Sequence, residues 1–147
     1  MKFRYGVAFA ALIFSVMSAN VLSAPLITPK EAKLPDAAGS LNTRGISRGP
    51  GIKVVSPEPG MQTKGPFDFK VVFEPRGGAT IDKSSVKVTY MKSPSIDLTP
   101  RLLGSVSDTG IDMKNAEIPP GEHPVKISVK DSDGREATTM TTLVGAK

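Results

Sequence analysis

The chain has 147 residues, a formal net charge of +5 and no cysteine. That length is room for one domain, and the missing cysteines exclude a disulfide scaffold and lipid attachment to an N-terminal cysteine. The positive charge does not mark a nucleic-acid binder: residues 51–147 hold 13 bases and 12 acids, with neither a clustered basic face nor an aromatic platform.

Residues 1–24 read as a secretory signal peptide. Lys2 and Arg4 form a short positive end, Tyr5 to Val16 is uncharged and mostly apolar, and Ser18, Asn20, Ser23 and Ala24 make a small-residue end. That order is the export order. The apolar run falls short of the ~20 residues that span a bilayer, and Ser15, Ser18 and Asn20 weaken its far end, so no stable membrane span is expected after cleavage. Cleavage after Ser23 or Ala19 fits small residues at the flanking positions, whereas cleavage after Ala24 sets Pro25 beside the cut. The site is open between Ala19 and Ala24. Short positive and apolar segments point to a bacterial protein, periplasmic or secreted.

Residues 25–50 read as a flexible basic leader. Pro25, Pro29, Pro35, Gly39, Gly45, Gly49 and Pro50 interrupt it, and Lys30, Lys33, Arg44 and Arg48 outnumber Glu31 and Asp36. A short helix over 29–34 lacks the length to stand alone.

From residue 51 the pattern is that of β-strands. Ile52 to Val55 is a short apolar run stopped by Ser56-Pro57-Glu58-Pro59-Gly60. Phe67, Phe69, Val71 and Phe73 alternate with polar residues, as do Val86, Val88 and Tyr90. Ser93-Pro94-Ser95 breaks the chain, and Ile96-Asp97-Leu98 reads as a short edge strand bracketed by Pro94 and Pro100. Ile111 to Ile118 is a weaker strand. Pro119-Pro120-Gly121 turns into Val125, Ile127 and Val129, and Asp131-Ser132-Asp133-Gly134 is a hairpin turn before a threonine-rich strand over 137–144. About seven short strands with turn chemistry between them predict an all-β sandwich over 51–147.

The block Ile118-Pro119-Pro120-Gly121-Glu122-His123, then Val125 to Lys130, then Asp131 to Gly134, then Thr138 to Val144, resembles the end of a bacterial immunoglobulin-like domain. Ser56-Pro57-Glu58-Pro59-Gly60 before a Phe-rich strand resembles its front half. The resemblance implies a single Ig-like or fibronectin-like antiparallel sandwich. It is specific for fold and says little of function, since this architecture hosts adhesins, chaperones, accessory modules and spacers.

No catalytic motif occurs, and no cofactor is expected. His123, the one histidine, sits where such domains often carry a tyrosine that closes a corner onto backbone. Asp131 and Asp133 resemble the start of a calcium loop, but Arg135 and Ala137 follow where oxygen ligands would be needed. Met61, Met91, Met113 and Met140 are too scattered for a copper site. The expectation is a non-enzymatic binding or structural module that meets an unknown protein partner in the cell envelope, through Ile96, Asp97 and Leu98. The alternative is a small periplasmic copper- or calcium-binding protein using Asp131, Asp133 and His123.

Overall fold

A computed structural model of the chain describes residues 24–39 and 48–147. Residues 1–23 of the expected signal peptide and residues 40–47 of the expected leader lie outside the described residues.

Two sheets pack face to face. The first has the order β1-β7-β4-β2, from β1 (Ala24–Pro25), β2 (Gly51–Ser56), β4 (Phe67–Glu74) and β7 (Gly110–Glu117). The second has the order β3-β9-β8-β5-β6, from β3 (Gln62–Thr63), β5 (Ile81–Tyr90), β6 (Ile96–Asp97), β8 (Gly121–Asp131) and β9 (Glu136–Gly145). This is a β-sandwich, and each of the seven strands expected over 51–147 has a counterpart in it. The two-residue strands β1 and β3 were not expected. They run parallel to β7 and β9, while the other paired strands are antiparallel.

Period-two alternation builds the core. Phe69, Val71 and Phe73 of β4 and Ile111 and Met113 of β7 face Val88 and Tyr90 of β5 and Val125, Ile127 and Val129 of β8, all buried. Each such side chain contributes about 1.5–3 kcal/mol of burial. β5 begins five residues before the expected Val86. Asp82, Ser84 and Ser85 hydrogen-bond among themselves there, and the register to β8 shifts between Asp82 and Lys87.

Two local devices shape β7. Gly110 enters it at φ 151°, and a Cβ there would stand 1.9 Å from the Val71 carbonyl oxygen, so only glycine fits. Farther along, Phe67 pairs with Ala116 but Phe69 with Met113, so β7 carries one extra residue. Asn115, at φ 53°, takes up that bulge.

The leader expected as a linker outside the domain behaves differently in its described part. Leu26 and Ile27 are 0% and 1% exposed and belong to the same core cluster as the sheet residues. The reason is geometric. The first sheet has only β1 beyond β7, and the N-terminal segment fills that place.

Candidate functional site: the β7 edge and its N-terminal strap

Residues 24–37 form a strap across one side of the sandwich. Ala24 and Pro25 pair in parallel with Ala116 and Glu117 of β7. Neighbouring residues of a straight strand point to opposite faces. The chain therefore bends after Pro25, and the bend turns both Leu26 and Ile27 inward. Their N–H groups both donate to the Glu117 carbonyl, at 2.9 and 3.3 Å. Proline suits the preceding position, because it fixes φ.

Thr28 then starts helix α1 (Pro29–Ala32). Its hydroxyl accepts from the Glu31 N–H at 3.3 Å, and its own N–H donates to Glu31 Oε2 at 2.9 Å. This reciprocal cap sets the Glu31 carboxylate facing helix α2 (Thr99–Leu102). Arg101 of α2 donates through Nη1 to the Leu26 carbonyl at 2.7 Å and to Glu31 Oε2 at 2.9 Å, and through Nη2 to Glu31 Oε1. The guanidinium, followed by the Thr28 bonds, overcomes burial and holds the Glu31 carboxyl at a pKa of about 2. The same contact raises the Arg101 pKa.

The strap's far end is held by a second cation. Lys92 Nζ lies 2.5 Å from Asp36 Oδ1, and the lysine is only 7% exposed. The aspartate raises the lysine pKa against the opposing pull of burial. Backbone bonds from Ser93 N–H to the Pro35 carbonyl (2.8 Å) and from Ala37 N–H to the Met91 carbonyl (3.4 Å) complete the seam. Beneath it, Lys92 Nζ stands 5.5 Å from the centre of the Tyr90 ring.

Tyr90 leads to His123. The two rings meet edge-on with centroids 5.7 Å apart. His123 Nε2 is 2.7 Å from the Pro119 carbonyl oxygen, which can only accept, so Nε2 carries the proton. In the neutral ring Nδ1 then accepts, and the Tyr90 hydroxyl donates to it at 2.8 Å. Burial lowers the His123 pKa and raises that of Tyr90, which keeps both neutral near pH 7. Both ring nitrogens are engaged, leaving no lone pair for a metal or for proton transfer to a substrate.

Ile96 and Asp97 make up β6 at the edge of the second sheet, two residues long. Leu98 is fully buried, and Asp97 accepts from the Thr99 N–H at the start of α2. Asp131 accepts from the N–H groups of Asp133 and Arg135 and from Arg135 Nε. Burial would raise its pKa, but the Arg135 N–H and guanidinium reverse this and lower it. Asp133 pairs with the same arginine at 3.0 Å. These aspartates lock a hairpin. His123 and Asp131 lie eight residues apart on β8, about 27 Å at strand rise, so the structure does not bring the three metal candidates together. Among the described residues no group of three or more potential ligands gathers.

A recess of about 280 Å³ is lined by Lys70, Val72, Ser107, Thr109 and Asp112, among others. Its two hydroxyls bond each other at 2.9 Å, and Asp112 pairs with Lys114.

Strand reading pointed to Ile96–Leu98 and passed over Leu26, Ile27, Glu31, Asp36, Lys92 and Arg101. One local signal for them existed: an aliphatic pair directly before Thr28-Pro29-Lys30-Glu31, whose Thr-x-x-Glu spacing is a capping box. No family model, curated protein or solved structure matches this chain.

Proposed function

We propose that this is an exported, non-enzymatic protein-binding module of the bacterial cell envelope, built on an Ig-like sandwich, which takes an extended segment of another chain onto the β7 edge. The observation that supports it is the strap itself: the sandwich already holds a peptide there by parallel pairing, with two aliphatic side chains in its core. Strand addition works this way, with backbone bonds for affinity and pockets for side-chain choice.

The other edges are poorer acceptors. β3 and β6 are two residues long. β2 is followed directly by Pro57, which has no N–H to donate to an added strand. On β7 the strap covers Ala116 and Glu117, and Val106 bridges Ile111, so residues 112–115 have no neighbouring strand on that side among the described residues.

The sequence order from Lys2 to Ala24 supports the compartment. N-terminal sequencing of the protein from a periplasmic or culture fraction tests it: a first residue between Asn20 and Pro25 is expected, and Met1 overturns it. For the binding role, a photo-crosslinking residue is placed at Lys114 on the open stretch of β7 and, as a control, at Lys87 on β5. A discrete protein adduct in intact cells from position 114 and not from 87 is expected. Equal labelling from both, or none, sinks the assignment of the edge.

A further inference from the structure

We infer that the segment this edge takes is the free C-terminal end of another protein, laid antiparallel to β7 with its terminal carboxylate in the recess beside Lys70. The inference rests on the strand-acceptor reading above and adds the kind of segment that fits.

The open stretch of β7 is closed at both ends. Val106 bridges Ile111 at one end and Ala24 pairs with Ala116 at the other, which leaves residues 112–115, about 13 Å of edge. An internal segment has to turn out of the edge at both ends of that short stretch, whereas a chain end turns out at only one. The exit lies at Asn115, where the bulge bends β7. At the other end the backbone is free to pair. The Phe73 N–H donates to the Thr109 carbonyl at 3.0 Å, so by the alternation of an antiparallel ladder the N–H and C=O of Asp112 point away from β4. The Gly110 carbonyl points the same way but already accepts from the Ser107 N–H at 2.8 Å. An added strand therefore stops beside Asp112.

The recess at that stopping point suits an anion. Lys70 lines it from β4 and forms no hydrogen bond or ion pair among the described residues. The one lining carboxylate, Asp112, is held by Lys114 at 3.0 Å, and the same lysine holds Asp68 at 3.1 Å. Asp108, on the turn above, is exposed to solvent. The Ser107 and Thr109 hydroxyls lie 2.9 Å apart, and when Ser107 donates to Thr109 the Thr109 proton is left for a ligand. An unpaired ammonium beside a hydroxyl donor fits a carboxylate and repels an amine, which selects a C-terminus over an N-terminus. With its carboxylate there, the segment runs from Asn115 toward Asp112, against the direction of β7.

The test reads which part of a partner is captured. A photo-crosslinking residue replaces Asp108, so that Lys70, Asp112 and Lys114 all stay in place. Intact cells are irradiated, and the adduct is digested and sequenced by mass spectrometry. The crosslinked peptide is expected to carry the partner's own last residue. Lys70→Gln is expected to lower the yield at least fivefold, while Lys87→Gln on the other sheet leaves it unchanged. A peptide from the interior of the partner, or full yield with Lys70→Gln, overturns the chain-end inference and leaves the edge reading intact. So does an adduct from position 114 with none from position 108. No adduct from either position overturns both. The last eight residues of the captured partner are then made as free acid and as amide and titrated against the purified full chain. At least tenfold tighter binding of the free acid is expected, and equal binding overturns the role of the carboxylate.

Discussion

Arg101 and Glu31, 70 residues apart in sequence, form a two-pronged ion pair in which the same guanidinium also holds the Leu26 carbonyl. Such a pair fixes geometry as well as charge, because the planar fork matches the two carboxylate oxygens. It joins the beginning of the described chain to the middle of the sandwich.

Glu31→Gln or Arg101→Met is expected to lower unfolding stability at pH 7 by about 2 kcal/mol, since the pair is charge-assisted and mostly out of water. The sign with pH follows from the folded pKa of about 2 against the usual 4.5. The folded state binds fewer protons, so this contribution is complete above about pH 4.5 and disappears as pH falls toward 2. Urea unfolding at pH 7, 4 and 3 checks it: the gap between wild type and Glu31→Gln narrows with acid.

Leu26→Ala removes buried aliphatic volume and is expected to cost about 2–5 kcal/mol, whereas Leu26→Met costs less than about 1.5 kcal/mol. A residue on a solvated tether would give changes within about 0.5 kcal/mol. Denaturant midpoints at equal slope separate these outcomes.

The His123 ring is held neutral between Tyr90 and the Pro119 carbonyl. Burial depresses its folded pKa, so the unfolded chain takes up the proton first. Stability is expected to be level above the ordinary histidine pKa of about 6.5 and to decline as pH drops below it. His123→Phe removes that decline below about pH 6.5 and lowers stability at pH 7 by about 1–3 kcal/mol, because it leaves the Tyr90 hydroxyl without its acceptor. Thermal melts across that range decide it.

Thr141 of β9 is buried, and its hydroxyl oxygen has no hydrogen-bond partner among the described residues. Exchange for the similarly shaped Thr141→Val is expected to raise stability by about 1 kcal/mol, since an unmade buried bond is relieved and valine suits a strand. A lower urea midpoint would refute this.

The sandwich was legible because alternation is local. Phe69, Val71 and Phe73, or Val125, Ile127 and Val129, announce a buried face within a few residues, and those faces are the core. The reach of His123 back to Pro119 spans only four residues, and the Pro-Pro-Gly turn signals it. The strap was hidden by the same chemistry that makes it work. Pro25 and Pro35 lie outside regular helix while Pro29 opens α1, and in sequence a proline-spaced linker looks alike whether it docks or not. Lys92 reads as one more surface lysine until Asp36, 56 residues away, is brought to it. Ile96–Leu98 was placed at an edge by its flanking prolines, but Leu98 turns into the core and the segment leads into the helix that carries Arg101.

The Tyr90–His123 contact also gives the molecule a built-in optical reporter. The chain has no tryptophan and two tyrosines, of which Tyr5 lies in the segment expected to be removed on export. Without that segment, tyrosine emission comes from a single phenol, buried, donating to an imidazole and lying under the cation that anchors the strap. Release of the strap at Lys92, or loss of the imidazole acceptor, changes the surroundings of that phenol, so strap docking can be followed in solution without any label.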